Sequence, residues 1–181
     1  PRSTFFPYTT LFRSGLATMG FGPSAVLGGK VAAPDKIVIN LTGDGGFGIN
    51  PSCLATAVEH GIACTWVVMN NSAFGTIAGL ENANYKTKFG TVFYKPDGER
   101  YTICWADVAK SYGIESICVN SAEEFKPALE KAIAANKEGR PFLVEAPMEN
   151  IVVPTPGCWN INDIYTRSEE RRVGKECRSR W

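Results

Sequence analysis

A carboxylate stands inside a glycine-rich turn of this sequence. The stretch LTGDGGFGIN, residues 41–50, follows an apolar run and places Asp44 between Gly43 and Gly45. A turn of this kind, after a strand, can bind phosphate oxygens through its backbone amides. A carboxylate beside a diphosphate costs on the order of 4 kcal/mol per charge pair at an intermediate dielectric. The turn therefore predicts that a divalent cation lies between Asp44 and any bound diphosphate.

A second oxygen-bearing side chain follows the next predicted strand. Asn71 comes 27 residues after Asp44, with one predicted helix between them. The carboxyl ends of parallel strands share one edge of a sheet, so we expect these two side chains to be neighbours. Mg²⁺ takes about six oxygen ligands in an octahedron. The two side chains, one nearby backbone carbonyl, two diphosphate oxygens and a water would supply them.

Two other interpretations start from the same residues. The turn also satisfies G-x-G-x-x-G, the fingerprint of a dinucleotide-binding Rossmann domain, with NAD as the ligand. That site needs a small neutral residue in the turn and an acidic residue at the end of the second strand, where this chain has Asp44 and Asn70-Asn71. Alternatively, Asp44 and the asparagines simply cap turns. Binding of NAD without a divalent metal would support the Rossmann interpretation.

Apolar runs of strand length alternate with helical patterns along the chain, which is typical of parallel β-α-β construction. The runs are apolar on both sides, as expected when helices cover both faces of a sheet. We predict an α/β fold with three layers, a parallel sheet between helices. The predicted strands are residues 36–42, 64–70, 115–119 and 141–146, and the predicted helices are residues 23–33, 51–60, 104–113 and 121–139.

Local signals set some of the boundaries. Gly61 is predicted to end the helix over 51–60, with His60 favourable at the negative end of its dipole. Ser121 and Glu124 have the spacing of a capping box. Residues 81–101 carry few helix signals and several aromatic residues, so we predict a long loop, whose aromatic stretch over 85–94 is either a lid or a subunit interface.

The two ends of the chain are predicted to be foreign to the protein. Residues 6–14 can be encoded by TTT CCC TAC ACG ACG CTC TTC CGA TCT, and the reverse complement of that DNA encodes residues 167–175. An inverted repeat of this kind is typical of one oligonucleotide ligated to both ends of an insert. We therefore assign residues 1–14 and 167–181 to non-native flanks and residues 15–166 to a single domain. A natural head and a basic nucleic-acid-binding tail are the alternative.

Removing the flanks changes what the composition implies. The whole chain has a formal net charge of +1, whereas residues 15–166 keep 11 Lys and Arg and 15 Asp and Glu, a net charge of −4. No basic stripe remains to indicate nucleic-acid binding, and no apolar run has the roughly 18 residues of a membrane helix. The five cysteines of this segment form no C-x-x-C pair, so we expect buried free thiols in a cytoplasmic protein.

Three blocks of the sequence together resemble a known family. Gly43-Asp44-Gly45 followed by Asn70-Asn71 is similar to the metal-diphosphate signature of thiamine diphosphate enzymes. ATMGFGPSAVLGGKVAAPDK and VVMNNSAFGTI, at residues 17–36 and 67–77, resemble the blocks around it. The resemblance is closest to the C-terminal, pyrophosphate-binding domain of acetolactate synthase and its relatives.

The resemblance implies a role for individual residues, carried over by position. The metal would be Mg²⁺, held by Asp44, Asn71 and the Ala73 carbonyl, and the Gly45 and Gly46 amides would hold the diphosphate. Met19 would be the bulky residue under the centre of the cofactor, although an ordinary core methionine is the alternative. The remaining residues expected to bind the cofactor are Gly20, Gly43, Phe74, Gly75, Thr76 and Ile77.

The family also implies a reaction and partners. Its members act on 2-keto acids with thiamine diphosphate, as carboligases and decarboxylases, usually as oligomers. The activating glutamate belongs to an N-terminal pyrimidine-binding domain of a partner subunit, so we expect this chain alone to be inactive. Gly46 and Leu80 depart from the Ser and Trp usual in acetolactate synthases, as does the ending VVPTPGCWNINDIY. Sulfoacetaldehyde acetyltransferase, glyoxylate carboligase, oxalyl-CoA decarboxylase and benzoylformate decarboxylase are the alternatives, together with a non-catalytic interaction domain.

Overall fold

A computed structural model describes residues 18–87 and 89–149 of the chain. Its sheet consists of four strands that are parallel throughout, in the order β1-β2-β4-β3. The strands are β1 (Ile39–Gly43), β2 (Thr65–Asn70), β3 (Glu115–Cys118) and β4 (Phe142–Pro147). Each of them overlaps one of the predicted strands. The predicted flanks, and the outer limits of the predicted domain, lie outside the described residues.

Six helices accompany these strands in the described ranges. They are α1 (Phe21–Ala32), α2 (Asp44–Phe47), α3 (Cys53–Glu59), α4 (Gly75–Tyr85), α5 (Trp105–Ser111) and α6 (Ala122–Lys137). Four of them were predicted, whereas α2 and α4 were not. The long loop predicted over 81–101 is wrong for its first five residues, which belong to α4. Only Ala78 of α4 is buried, so this helix lacks the apolar stripe that reveals a helix in sequence.

Helices cover both faces of the sheet, which confirms the three-layer α/β prediction. On one face, Trp66 and Val68 of β2 pack with residues of α1, α3 and α5. On the other face, Val67 of β2 and Val144 of β4 pack against the alanines of α6. Because successive side chains of a strand point to opposite faces, both faces of β2 are apolar and buried.

The predicted helix ends were partly correct. Gly61 has a φ of 62°, and the amides of Gly61 and Ile62 donate to the carbonyls of Val58 and Ala57, which closes α3 in a Schellman motif. His60 is the C-cap of α3, directly after its last residue Glu59. The capping box is wrong, because the Ser121 side chain caps no amide and the Glu124 carboxylate accepts from the Asn120 amide at 2.8 Å.

The cysteines were only partly predicted. Cys53 and Cys64 are buried, but Cys104 is exposed and Cys118 is half-buried. Burial raises the pKa of the Cys53 thiol to about 11 and that of Cys64 to about 12. Cys104 escapes burial because it precedes α5 in a loop at the surface. Within residues 18–87 and 89–149, no helix is long and apolar enough to span a membrane.

Candidate functional site

A cavity of about 970 Å³ lies at the carboxyl ends of β1 and β2. This is the edge of a parallel sheet where ligand sites form. Its walls bring together every residue that the sequence predicted for the site: Met19, Gly20, Gly43, Asp44, Gly45, Gly46, Asn71, Ala73, Phe74, Gly75, Thr76 and Ile77. The prediction that Asp44 and Asn71 share one cavity is therefore confirmed, while their roles toward a ligand stay predictions.

Asp44 is the first residue of the one-turn helix α2, which begins where β1 ends. Only 4% of Asp44 is exposed, although it lines the cavity. Burial raises the pKa of its carboxyl group, and the backbone amides of Gly45 and Ala73 offset part of this effect by favouring the charged form. The predicted simple turn is thus a short helix, and its first residue is a buried carboxylate.

The glycines after Asp44 leave no room for a side chain. A Cβ on Gly45 would lie 2.6 Å from Cδ1 of Phe74, and a Cβ on Gly46 would lie 2.8 Å from Oγ1 of Thr42. The first four amides of a helix have no acceptor among the carbonyls of that helix. The Gly45 amide lies against the Asp44 carboxylate, whereas the Gly46 amide needs a partner from elsewhere. Both residues line the cavity, so a bound anion is within reach of this short helix.

The turn after β2 is shaped by Ser72, a non-glycine residue with a φ of 52°. Such left-handed backbone is uncommon outside glycine and is costly unless its surroundings hold it. Before it, Asn71 lies against Gly75, where a Cβ would approach the Asn71 Nδ2 to 2.6 Å. After it, Ala73 is 3% exposed and lines the cavity. The turn therefore places the Asn71 side chain and the Ala73 main chain at the same cavity.

Residues 91–101 hold this turn from the side away from the cavity. The Phe93 amide donates to the Ser72 carbonyl at 3.1 Å, and the Phe74 amide donates to the Thr91 carbonyl at 2.8 Å. In this antiparallel bridge Ala73 uses neither its own amide nor its own carbonyl, so both are directed away from residues 91–93. Arg100 Nη2 donates to the Asn71 carbonyl at 2.7 Å. The end of the long loop predicted over 81–101 thus supports the candidate ligands, a role that the sequence did not indicate.

A buried hydrogen-bond network behind the turn was also missed. Asn70 Nδ2 donates to Oε1 of Glu145 at 2.7 Å, and Asn70 Oδ1 accepts from the Ser72 amide at 3.1 Å. Glu145 lies in β4 and is 2% exposed. The signal in the sequence was a glutamate within the apolar run PFLVEA, since ionisable side chains are almost never fully buried unless they are paired.

Larger side chains form the remaining walls of the cavity. Met19 is 39% exposed, so the alternative of an ordinary core methionine is wrong. Its Cε would lie 3.3 Å from a Cβ on Gly45, which places the Met19 side chain beside the start of α2. Phe74 packs edge to face on Phe93, with ring centroids 5.0 Å apart. Ile77, in the first turn of α4, is half-exposed on the cavity wall.

The charge of the cavity restricts what it can bind. Among the described residues that line it, Asp44 is the only ionisable side chain. A phosphorylated ligand would therefore meet backbone amides and one carboxylate, without a lysine or arginine to neutralise it. The oxygen donors of Asp44, Asn71 and the main chain are those that Mg²⁺ prefers. The cavity therefore fits a diphosphate accompanied by a divalent cation.

The chain resembles known proteins over most of its length. It is 34% identical to a probable acetolactate synthase large subunit of Methanocaldococcus jannaschii, covering 95% of this chain and 28% of that protein. It is also 34% identical to a sulfoacetaldehyde acetyltransferase of Alcaligenes xylosoxydans xylosoxydans, covering 80% of this chain and 22% of the relative. The chain thus spans about a quarter of the length of these relatives.

A solved structure shares the fold. The thiamine diphosphate-dependent 4-hydroxybenzoylformate decarboxylase of Rhodococcus jostii superposes with a TM-score of 0.63 at 27% identity, over 75% of this chain and 24% of that one. The model of the C-terminal TPP binding domain of thiamine pyrophosphate enzymes matches residues 2–146. This range includes residues 2–14, which the inverted repeat assigns to a flank, and that assignment stays a prediction. The chain belongs to the thiamine pyrophosphate enzyme family and carries its C-terminal cofactor-binding domain.

Proposed function

We propose that the cavity binds the diphosphate of thiamine diphosphate through Mg²⁺, with Asp44, Asn71 and the Ala73 carbonyl as the protein ligands of the metal. The observation that carries this proposal is that Asp44 is the only ionisable side chain among the described residues lining the cavity. A diphosphate would be repelled by this carboxylate and would find no basic side chain. One divalent cation converts that repulsion into coordination.

The other residues of the cavity hold the remaining parts of the cofactor. The Gly45 and Gly46 amides donate to phosphate oxygens at the start of α2, where a side chain would collide with Phe74 or Thr42. Met19 supports the centre of the cofactor from the neighbouring wall. The aminopyrimidine side is lined by Gly75, Thr76 and Ile77, and the remaining walls are formed by Gly20, Gly43 and Phe74.

The parent protein is proposed to be an acetolactate synthase-like, cytoplasmic carboligase or decarboxylase of 2-keto acids. When bound, thiamine diphosphate supplies the chemistry that removes carbon dioxide from such an acid and transfers the remaining fragment. The residues of this chain place the cofactor, while an N-terminal pyrimidine-binding domain of a partner subunit in a homo-oligomer supplies the activating glutamate. This chain alone is therefore expected to be inactive.

Other reactions stay open for the parent protein. The relatives include the transferase of Alcaligenes and a 3D-(3,5/4)-trihydroxycyclohexane-1,2-dione hydrolase of Bacillus velezensis, which is 35% identical over 126 residues. These identities are too similar to separate transferase, lyase and hydrolase, and the site itself lies in the part that relatives share. Assay of the parent protein, recovered with its upstream coding sequence, against pyruvate and sulfoacetaldehyde separates the candidates.

The binding proposal is tested by equilibrium dialysis of thiamine diphosphate against the 181-residue chain, with Mg²⁺ or with EDTA. We expect retention with Mg²⁺ only, and loss of retention in Asp44→Asn. Asp35→Asn is the matched control, because Asp35 is an exposed aspartate outside the cavity walls. Retention that is equal in EDTA, or unchanged in Asp44→Asn, would contradict the proposed metal site. NAD, dialysed in parallel, is expected not to be retained.

A further inference from the structure

We propose that Asn70 and Glu145 are positioning residues that set the geometry of the metal-binding turn. This inference rests on the proposed function, because it concerns the same Mg²⁺ site. Neither residue lines the cavity. Both act through Ser72, the left-handed residue that separates the two candidate ligands Asn71 and Ala73.

The connection is a chain of buried hydrogen bonds. Glu145 Oε1 accepts from Asn70 Nδ2 at 2.7 Å, and Asn70 Oδ1 accepts from the Ser72 amide at 3.1 Å and from the Ser72 hydroxyl at 3.4 Å. The Asn70 amide therefore bridges a side chain of β4 and the backbone of the turn. Because Asn70 accepts from the Ser72 amide, it favours the turn in which Asn71 and Ala73 line the same cavity.

Glu145 is itself fixed on its other side. Its Oε2 accepts from the Ala106 amide at 2.8 Å, and the Cys104 thiol lies 3.6 Å away. Asn70 Nδ2 donates in addition to the Ile103 carbonyl at 2.8 Å. A carboxylate that is 2% exposed is costly to bury unless its oxygens are hydrogen-bonded, and here each oxygen has a donor. The Ala106 amide at the start of α5 thus fixes the position of the Glu145 carboxylate, and that carboxylate fixes the position of the Asn70 side chain.

Groups behind the ligands of a metal orient those ligands, and their removal typically lowers metal affinity roughly 10- to 100-fold. The turn is supported from the other side by Arg100, whose Nη2 donates to the Asn71 carbonyl. Arg100 is exposed, whereas Asn70 and Glu145 are buried. We therefore assign the larger part of the positioning to the buried pair.

The chain contains a matched control at the other end of β2. Asn136 is 4% exposed, accepts from Oγ1 of Thr65 at 2.8 Å, and donates to the carbonyls of Cys64 and Arg140 at 3.2 and 2.9 Å. Changing either asparagine to aspartate keeps the accepting oxygen and replaces the donating NH₂ group by a second oxygen. Asn70→Asp and Asn136→Asp therefore cause the same chemical change in buried sites at opposite ends of the sheet.

The test measures the Mg²⁺ concentration that gives half-maximal retention of thiamine diphosphate in equilibrium dialysis. Asn70→Asp is expected to raise it roughly 10- to 100-fold and Asn136→Asp less than about 2-fold. The electron paramagnetic resonance spectrum of Mn²⁺ bound with the cofactor should change in Asn70→Asp only. Thermal unfolding of each variant is measured first, and the binding measurements are made at a temperature at which all variants are folded.

A double variant tests the direction of the hydrogen bond. Adding Glu145→Gln to Asn70→Asp lets an amide donate to a carboxylate, reversing the native pair while the Gln oxygen still accepts from the Ala106 amide. We expect it to recover part of the lost Mg²⁺ affinity, because the bond to position 145 is restored while the Ile103 carbonyl still lacks its donor. Glu145→Gln alone is the milder variant if Asn70→Asp does not fold, and it should also weaken Mg²⁺ binding.

The outcomes separate this inference from the function on which it rests. If the unaltered chain retains no thiamine diphosphate with Mg²⁺, the proposed function fails, and the positioning role fails with it. If the unaltered chain binds, but the position 70 and position 145 variants match Asn136→Asp, only the positioning role is overturned.

Discussion

Asn136 and Asn70 are both almost fully buried, but they contact opposite ends of β2: Asn136 of α6 packs at its amino end, and Asn70 is its last residue. At the amino end, Asn136 hydrogen-bonds Thr65 and the carbonyls of Cys64 and Arg140, which ties α6 to the sheet. At the carboxyl end, the network of Asn70 lies directly behind a cavity. A buried asparagine thus joins a helix to the sheet at the amino end, and another supports the wall of a cavity at the carboxyl end.

The difference follows from where backbone groups are satisfied. Buried amides and carbonyls are almost always hydrogen-bonded. Around Asn136 these partners are other groups of the protein. At the carboxyl end, the Gly46 amide has no acceptor within the one-turn helix α2, and the Ala73 carbonyl is not used in the bridge with residues 91–93. The carboxyl end therefore keeps hydrogen-bonding capacity for a ligand.

Substitution of Asp44 should have the largest effect and should separate binding from stability. Asp44→Asn is expected to weaken Mg²⁺-dependent retention on the order of 1000-fold, since about 4 kcal/mol of charge interaction is lost. The metal-free chain should nevertheless become more stable at neutral pH. Calorimetry of the metal-free chain and dialysis with Mg²⁺ measure the two effects.

The sign of the stability change follows from the raised pKa of Asp44. A raised pKa means that the folded state favours the neutral carboxyl group, so stability is lost as the pH rises through that pKa. Asn is neutral at every pH. We therefore expect the melting temperatures of the unaltered chain and of Asp44→Asn to converge in acid and to separate at neutral pH. Melting temperatures that separate in acid and converge at neutral pH would contradict the buried carboxylate.

At the amino end of β2, Asn136→Ala should lower the stability of the chain without changing Mg²⁺ binding. It leaves the Cys64 and Arg140 carbonyls without their donor, and an unsatisfied buried polar group costs roughly 1–3 kcal/mol. Urea unfolding should show this loss in the free energy of unfolding. A parallel loss of Mg²⁺-dependent retention at a temperature where the variant is folded would break the distinction between the two ends.

Two glycine-to-alanine substitutions should change the stability in opposite directions. Gly45→Ala places a Cβ 2.6 Å from the Phe74 ring and should destabilise the chain by about 1–3 kcal/mol. Gly28→Ala, in the exposed interior of α1, meets no atom within 4 Å and should stabilise by roughly 0.5–1 kcal/mol. Thermal unfolding compares the two. Equal shifts would show that the α2 glycines are not closely packed.

The smallest effect concerns thiol reactivity and needs no substitution. A maleimide at pH 8 should modify the exposed Cys104 before the buried Cys53 and Cys64, whose pKa values burial raises to about 11 and about 12. Mass spectrometry of digested peptides gives the order of modification. Rapid labelling of Cys64 in the folded chain would show that the amino end of β2 opens.

The strands and the location of the site were predictable because they depend on local patterns. Near-continuous apolar runs indicated strands covered on both faces, and parallel pairing then placed Asp44 and Asn71 at one sheet edge. The family resemblance added Met19 and residues 73–77, all of which line the cavity. These features are determined by short stretches of sequence and by one topological rule.

The remaining features depend on contacts between distant segments. Glu145 lies 75 residues from Asn70, and Arg100 lies 29 residues from Asn71, so no local spacing relates them. Helix α4 was missed because it buries little apolar surface. The predicted capping box failed because the Glu124 carboxylate instead binds the Asn120 amide. Propensity and spacing do not decide between competing partners of this kind.

The left-handed Ser72 has a consequence for how the chain can vary in length among its relatives. One residue inserted or deleted between Asn71 and Ala73 would reverse which groups meet the cavity, and it would also lose the fixed register with residues 91–93. Gaps in an alignment of relatives should therefore be missing from the turn after β2.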